Sequence, residues 1–324
     1  ILKVLFSDKI GKILKNVLPA PFTIAVILTF LTILIAFFIS ADSYNSKNFF
    51  EILSFWEKGL WDNNLMVFAL QMMLMLVLGH SLALSKPISK IINNITIHCN
   101  NTANAAAIVT FTTLLVAFFN WGLGLIFGAI FARKVGEHAS KNNIPLNYPL
   151  IGAAGYSGLM IWHGGISGSA PIKIAEQGHF LAEKIGTISQ AETIFSAMNV
   201  TISLSLIVIL PLFMFFLAKK TKSELVNIIE IEKIEKIKLD GAEKIDHSNL
   251  IAYIFGGIII IYCFYKAILL PDKMTLNFIT PNFINLSLLG LCVILHKNFF
   301  QFIKSVDSAI KGASGILIQF PLYF

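Results

Sequence analysis

The sequence predicts an all-α, polytopic membrane protein that carries a re-entrant hairpin and a broken helix. Three observations lead there. The 324 residues are 56% hydrophobic and only 13% charged, with a mean hydropathy of +0.76. The charges are bunched between long apolar runs instead of being spread along helix faces. Two of those runs are interrupted by clusters of glycine, serine and asparagine. A soluble domain would carry roughly a quarter charged residues, so water is not the solvent of this chain.

A bilayer core takes about 20 apolar residues per helix. Five runs meet that length, at 20–40, 64–84, 105–132, 149–168 and 194–217, and weaker or shorter ones follow at 250–270 and 283–296. The first, Pro21 to Ser40, is too long for a signal peptide and has no small-residue cleavage site, so it is read as a retained span. The only long polar stretch, 218–249, holds seven lysines against seven acidic residues. It is a solvated linker, and Ile228, Ile229, Ile231, Ile234 and Ile237 recur in it at near-helical spacing, as an amphipathic helix requires.

Lysine bias in short loops sets orientation. Lys3, Lys9, Lys12 and Lys15 face one acid, Asp8, which places the N-terminus in the cytoplasm. The acidic loop 41–63 lies outside, and Lys86 and Lys90 bring the chain back. A single crossing at 105–132 would then put Arg133, Lys134 and Lys141 outside and invert every later basic loop. Entry and return keeps all of them inside, including the linker, Lys297, Lys304 and Lys311. The 28 residues of 105–132 are therefore expected to form a re-entrant hairpin that turns at Asn120-Trp121-Gly122-Leu123-Gly124. Irregular backbone at membrane depth is tolerated only where protein covers it or it lines a cavity, so such a tip marks a substrate site.

The second irregular element is His163-Gly164-Gly165-Ile166-Ser167-Gly168-Ser169-Ala170-Pro171. Three glycines, two serines and a proline in nine residues do not hold a regular helix. The break frees N–H groups and exposes a half-helix end, which in transporters points at anionic substrate groups. Asn120, Gly122, Gly124, His163, Gly164, Gly165, Ser167, Gly168 and Ser169 are the candidate substrate-binding residues. Asn120, Gly122, Gly124, Ser167 and Ser169 are expected to face one aqueous cavity. The scattered Gly152 and Gly155 are assigned to helix packing.

The spans hold almost no acidic residue, so His80 and His163 are the candidates for a proton relay, and carbonyls and hydroxyls at the breaks are the candidates for sodium. His80 is thus a secondary site candidate, as is Arg133, the only arginine, whose alternative is an interfacial anchor. Gln71 and Asn199 are expected to bridge helices, and Trp56, Trp61 and Tyr44 to sit in the aromatic belt. The net charge of +7 forms no basic stripe, which excludes nucleic acid as a partner. Cys99, Cys263 and Cys292 lie far apart without a CxxC pair, so neither a disulfide framework nor a zinc site is indicated. No complete acid–base or metal constellation appears, and the expectation is a non-enzyme without a metal or organic cofactor.

The run from Asn120 to Arg133 (NWGLGLIFGAIFAR), the segment Gly164 to Pro171 (GGISGSAP), Gly315 to Pro321 (GILIQFP) and the opening Leu18-Pro19-Ala20-Pro21-Phe22 together resemble the short-chain fatty acid transporters of bacterial inner membranes. The resemblance implies uptake of small monocarboxylates such as acetate, butyrate or acetoacetate, driven by an ion gradient. It also implies the inverted-repeat architecture of the large ion-transporter group. On that pattern residues 1–217 form a first membrane repeat, 218–249 a cytoplasmic linker and 250–324 the start of a second repeat. Family members continue past the Gln-Phe-Pro motif, so the second repeat is expected to be incomplete. Dimerisation would cover part of the apolar area left open.

Overall fold

The computed structural model describes residues 18–40, 46–228, 243–270 and 276–323. The basic N-terminal flank, Tyr44 and most of the isoleucine-rich linker lie outside the described residues. Contacts divide the chain into two compact units, residues 1–70 with 313–324, and residues 71–312.

The helices in chain order are α1 (Pro21–Ser40), α2 (Ser46–Leu60), α3 (Asn63–Ala83), α4 (Lys86–Thr96), α5 (Thr102–Phe119), α6 (Trp121–Lys141), α7 (Tyr148–Tyr156), α8 (Ser169–Ile174), α9 (Ala182–Ile185), α10 (Ala197–Ala218), α11 (Glu243–Asp246), α12 (Asn249–Phe264), α13 (Pro281–His296) and α14 (Phe299–Leu322). A single antiparallel pair, β1 (Pro145–Leu146) with β2 (Glu224–Leu225), is the sheet content of the described residues. Among the described residues, five helical stretches are long and apolar enough to cross a membrane: Pro21–Ile39, Asn63–Ala83, Thr102–Phe119, Ala197–Ala218 and Asn249–Leu269. The last continues α12 through a π-turn at Tyr265–Leu269. The protein is an all-α polytopic membrane protein, as expected.

In the smaller unit α1 packs on α2, with Phe37 and Phe49 in edge contact at 6.2 Å. In the larger unit the centre is α5 with α6. The chain reverses at Asn120, whose φ of −148° and ψ of 122° break the helix for one residue. An added Cβ on Gly124 would meet Ala117 Cα at 2.5 Å, and one on Gly128 would meet Thr113 Cγ2 at 2.9 Å. Residues equidistant from the Asn120–Trp121 junction therefore face each other, and the two helices form an antiparallel hairpin. Glycine and alanine are needed there because the backbones approach closely.

Two boundaries differ from expectation. The hairpin runs over 102–141, not 105–132. It starts early because the Asn101 side chain accepts from Asn104 N at 2.9 Å and caps α5. It ends late because Arg133 and Lys134 pair with Glu137 along the helix, so the charged end stays helical. The run 149–168 is not one continuous helix. Regular helix ends at Tyr156, and 3-10 turns at Ser157–Met160 and Trp162–Gly164 follow. The break thus opens six residues before His163, where Gly158 fits against Ala117 Cβ, Thr113 Cγ2 and Thr113 O.

The described start of the linker is tied to the base of the hairpin. Thr102 Oγ1 shares a hydrogen bond with Ser223 Oγ at 2.8 Å and accepts from Asn147 N at 3.0 Å. Ile228 is not in a helix; its N–H donates to Ser140 Oγ and its side chain lies against Gly136.

Candidate functional site

The two irregular elements found in the sequence meet. Asn120 is fully buried and its Oδ1 accepts from Leu123 N at 2.8 Å, capping α6. From the other element, Ile166 N donates to Phe118 O at 2.8 Å. Trp121 N donates to Ser167 Oγ at 2.9 Å. Ser167 therefore supplies an acceptor for an orphan N–H at a helix N-terminus, and Gly165 is pressed so close to Phe118 O that a side chain has no room.

Two further helices close the junction. Gly79 of α3 faces the tip, where a Cβ would meet Leu123 N at 2.5 Å and Asn120 Oδ1 at 2.9 Å; Gly122 faces Leu76 Cα and Met75 O, both at 2.9 Å. From α10, Asn199 Nδ2 donates to Gly164 O at 2.9 Å and to Ile194 O at 2.7 Å. Asn199 thus bridges to the broken segment, and Gln71 bridges α3 to α13 through Asn282 Oδ1 at 2.9 Å, as expected of both.

Several buried donors are left over. Asn120 Nδ2 and Trp121 Nε1 have no hydrogen-bond partner among the described residues. The Ser167 hydroxyl accepts from Trp121 N, which leaves its proton free to donate. Beside these polar atoms stand two indoles, Trp121 and Trp162, in edge contact at 5.3 Å. None of the side chains in these contacts is charged. A buried unpaired donor costs about 1–3 kcal/mol, so leaving Asn120 Nδ2 and Trp121 Nε1 unpaired is costly to the fold.

Asn120, Gly122, Gly124 and Ser167 are buried in packed protein, not open to a water-filled surface; Ser169 is half-buried at the start of α8. Gly124 packs inside the hairpin, Gly122 against α3, and Gly168 against His163 O. His163 is exposed, with its ring 5.1 Å from Trp162. The secondary candidates lie apart from the junction contacts. His80 is half-buried, and its Nδ1 is the atom an added Cβ on Gly312 would meet, at 3.9 Å. Arg133 Nε donates to Glu137 Oε1 at 2.9 Å. Sequence reasoning did not single out Trp121 or Trp162 as site residues. The available signal was an indole N–H inside an apolar stretch next to a helix break.

Glu137 was not singled out either. Burial pushes its carboxyl up, but hydrogen bonds and charge from Lys134 and Arg133 outweigh this and hold it below the ordinary glutamate range.

Membrane-length helices and two joined helix breaks are features of polytopic membrane transporters. The chain belongs to the short-chain fatty acid transporter family, whose family model matches residues 3–324. Among its relatives, a protein of Escherichia coli (strain K12) is 31% identical, with 94% of this chain and 68% of that protein covered. Another, of Haemophilus influenzae (strain ATCC 51907 / DSM 11121 / KW20 / Rd), is 32% identical with the same shares covered. Both are named, provisionally, as short-chain fatty acid transporters. No solved structure matches the chain.

Proposed function

We propose that the protein carries short-chain monocarboxylates such as acetate, butyrate or acetoacetate across the bacterial inner membrane, coupled to a proton or a sodium ion. The observation that carries this reading is the meeting of the Asn120 tip with the Gly164–Gly168 segment, where Asn120 Nδ2 and Trp121 Nε1 are buried without a partner among the described residues. A carboxylate would accept from those donors and from the Ser167 hydroxyl. The alkyl tail would lie against Trp121 and Trp162. The uncharged surroundings suit a single negative charge and disfavour a dicarboxylate, whose second charge would be buried uncompensated.

In this reading α5 and α6 form a re-entrant hairpin, the N-terminus is cytoplasmic, and the buried tip is the occluded state of an alternating-access cycle. Asn120, Ser167 and Ser169 would be exposed to water when the junction opens. Exposed His163 is the group placed to carry a proton, and the buried Thr110 and Thr113 hydroxyls, unpartnered among the described residues, are the groups placed to hold sodium.

Uptake of labelled butyrate into vesicles containing the protein tests the reading, with unlabelled acetate and succinate as competitors. Acetate should compete and succinate should not. Stronger competition by succinate than by acetate contradicts it.

A further inference from the structure

A second polar feature lies at the ends of the apolar helices in the larger unit. A half-open cavity of about 270 Å³ is lined by Lys86, His296, Gln301, Lys304, Ser305 and Ser308, next to exposed Leu84. Its inner wall is fixed by hydrogen bonds. Ser81 Oγ and Ser305 Oγ share a hydrogen bond at 2.5 Å, Ser305 donates to Phe302 O at 2.6 Å, and His296 Nε2 donates to Ser81 O at 2.9 Å. With those groups engaged, the outer rim supplies the free donors: Lys86, Lys304, Gln301 and Ser308, all exposed. No acidic residue lines the cavity, and among the described residues neither Lys86 nor Lys304 has an ion pair.

Position identifies the ligand chemistry. Lys86 begins three residues after α3, a membrane-length helix, and His296 is the last residue of apolar α13. The cavity therefore opens where apolar helix surface gives way to polar loop, the depth at which lipid headgroups lie. Basic pockets between transmembrane helices at that level recognise lipid phosphates.

We infer that this cavity holds the phosphate of an anionic phospholipid, with Lys86 and Lys304 as its counter-charges and Gln301 and Ser308 as neutral donors. The site is separate from the Asn120–Ser167 junction and does not rest on the transported substrate.

Native mass spectrometry of the purified chain, equilibrated with phosphatidylglycerol or phosphatidylcholine, tests this without a transport assay. The wild-type chain should retain phosphatidylglycerol over phosphatidylcholine. Lys86→Gln and Lys304→Gln should each weaken that retention about fivefold and the double variant about twenty-five-fold. Ser308→Glu, which keeps both lysines and adds a negative charge at the rim, should weaken it too. Lys90→Gln and Lys297→Gln, exposed lysines outside the cavity, should leave it unchanged. Equal retention of the two lipids, or equal losses in the control variants, overturns the site. Displacement of the lipid by millimolar inorganic phosphate assigns the cavity to a free anion and overturns the lipid as its occupant.

Discussion

Ser167 accepts a hydrogen bond from the backbone N–H of Trp121 at 2.9 Å, and this contact spans 46 residues to fasten the broken segment to the tip of the hairpin. Ser167→Ala leaves a buried N–H without an acceptor, a loss of about 1–3 kcal/mol. Thermal unfolding in detergent should show a clear drop for this variant. An unchanged transition would mean that the break is held elsewhere.

Gly128 and Gly155 touch backbone to backbone where α6 crosses α7, and a methyl group at Gly128 runs into Gly155 O. Gly152, on the same short helix, has open space around it. Gly128→Ala should lower stability by about 1–3 kcal/mol through overpacking, while Gly152→Ala should be neutral. Expression and melting temperature of the pair provide the check, and equal behaviour of the two variants would contradict the crossing.

Glu137 is held below the ordinary glutamate value by Lys134 and Arg133. Its ionised form therefore contributes stability fully above the ordinary glutamate range, and the contribution is lost as pH falls through the depressed folded value. Melting curves between neutral and acidic pH should fall less steeply for Glu137→Gln than for the natural chain. At neutral pH the substitution should cost about 1 kcal/mol or less, because the partner cations are partly exposed.

Cys99 lies in the turn between α4 and α5, and burial pushes its thiol up to about 12. The thiolate is the reactive form, so maleimide at neutral pH should modify Cys99 slowly in the folded protein and rapidly after unfolding in dodecyl sulfate. Fast modification of the folded chain would show that this region opens. The same result provides the background for labelling a cysteine placed at Ser169, which should react more readily than one at Asn120.

The spans were legible because burial in lipid demands long apolar runs, and so was the reversal at Asn120, where asparagine caps a helix and glycines let it turn back. The early end of α7 was not. Residues 149–162 form an apolar run, and what interrupts it is long-range: Gly155 on Gly128, Gly158 on α5, Ile166 N on Phe118 O. The same holds at the candidate site. Asn120 and Ser167 stood out as polar residues at helix breaks, but Trp162 comes against Trp121 only once the hairpin and the broken segment are joined. Glycines 122 and 124 were legible as a break, while their tight packing on α3 and α5 needed the fold.

The central claim is that the junction binds a short monocarboxylate through donors otherwise left unpaired, and Trp121→Phe tests it most directly. The substitution removes Nε1–H and keeps an aromatic ring against Trp162. Removing a buried unpaired donor should leave the protein at least as stable. Equilibrium binding of labelled butyrate to the purified chain should nevertheless weaken about tenfold, a loss of ~1.4 kcal/mol. Unchanged butyrate affinity in a folded Trp121→Phe protein would contradict the account.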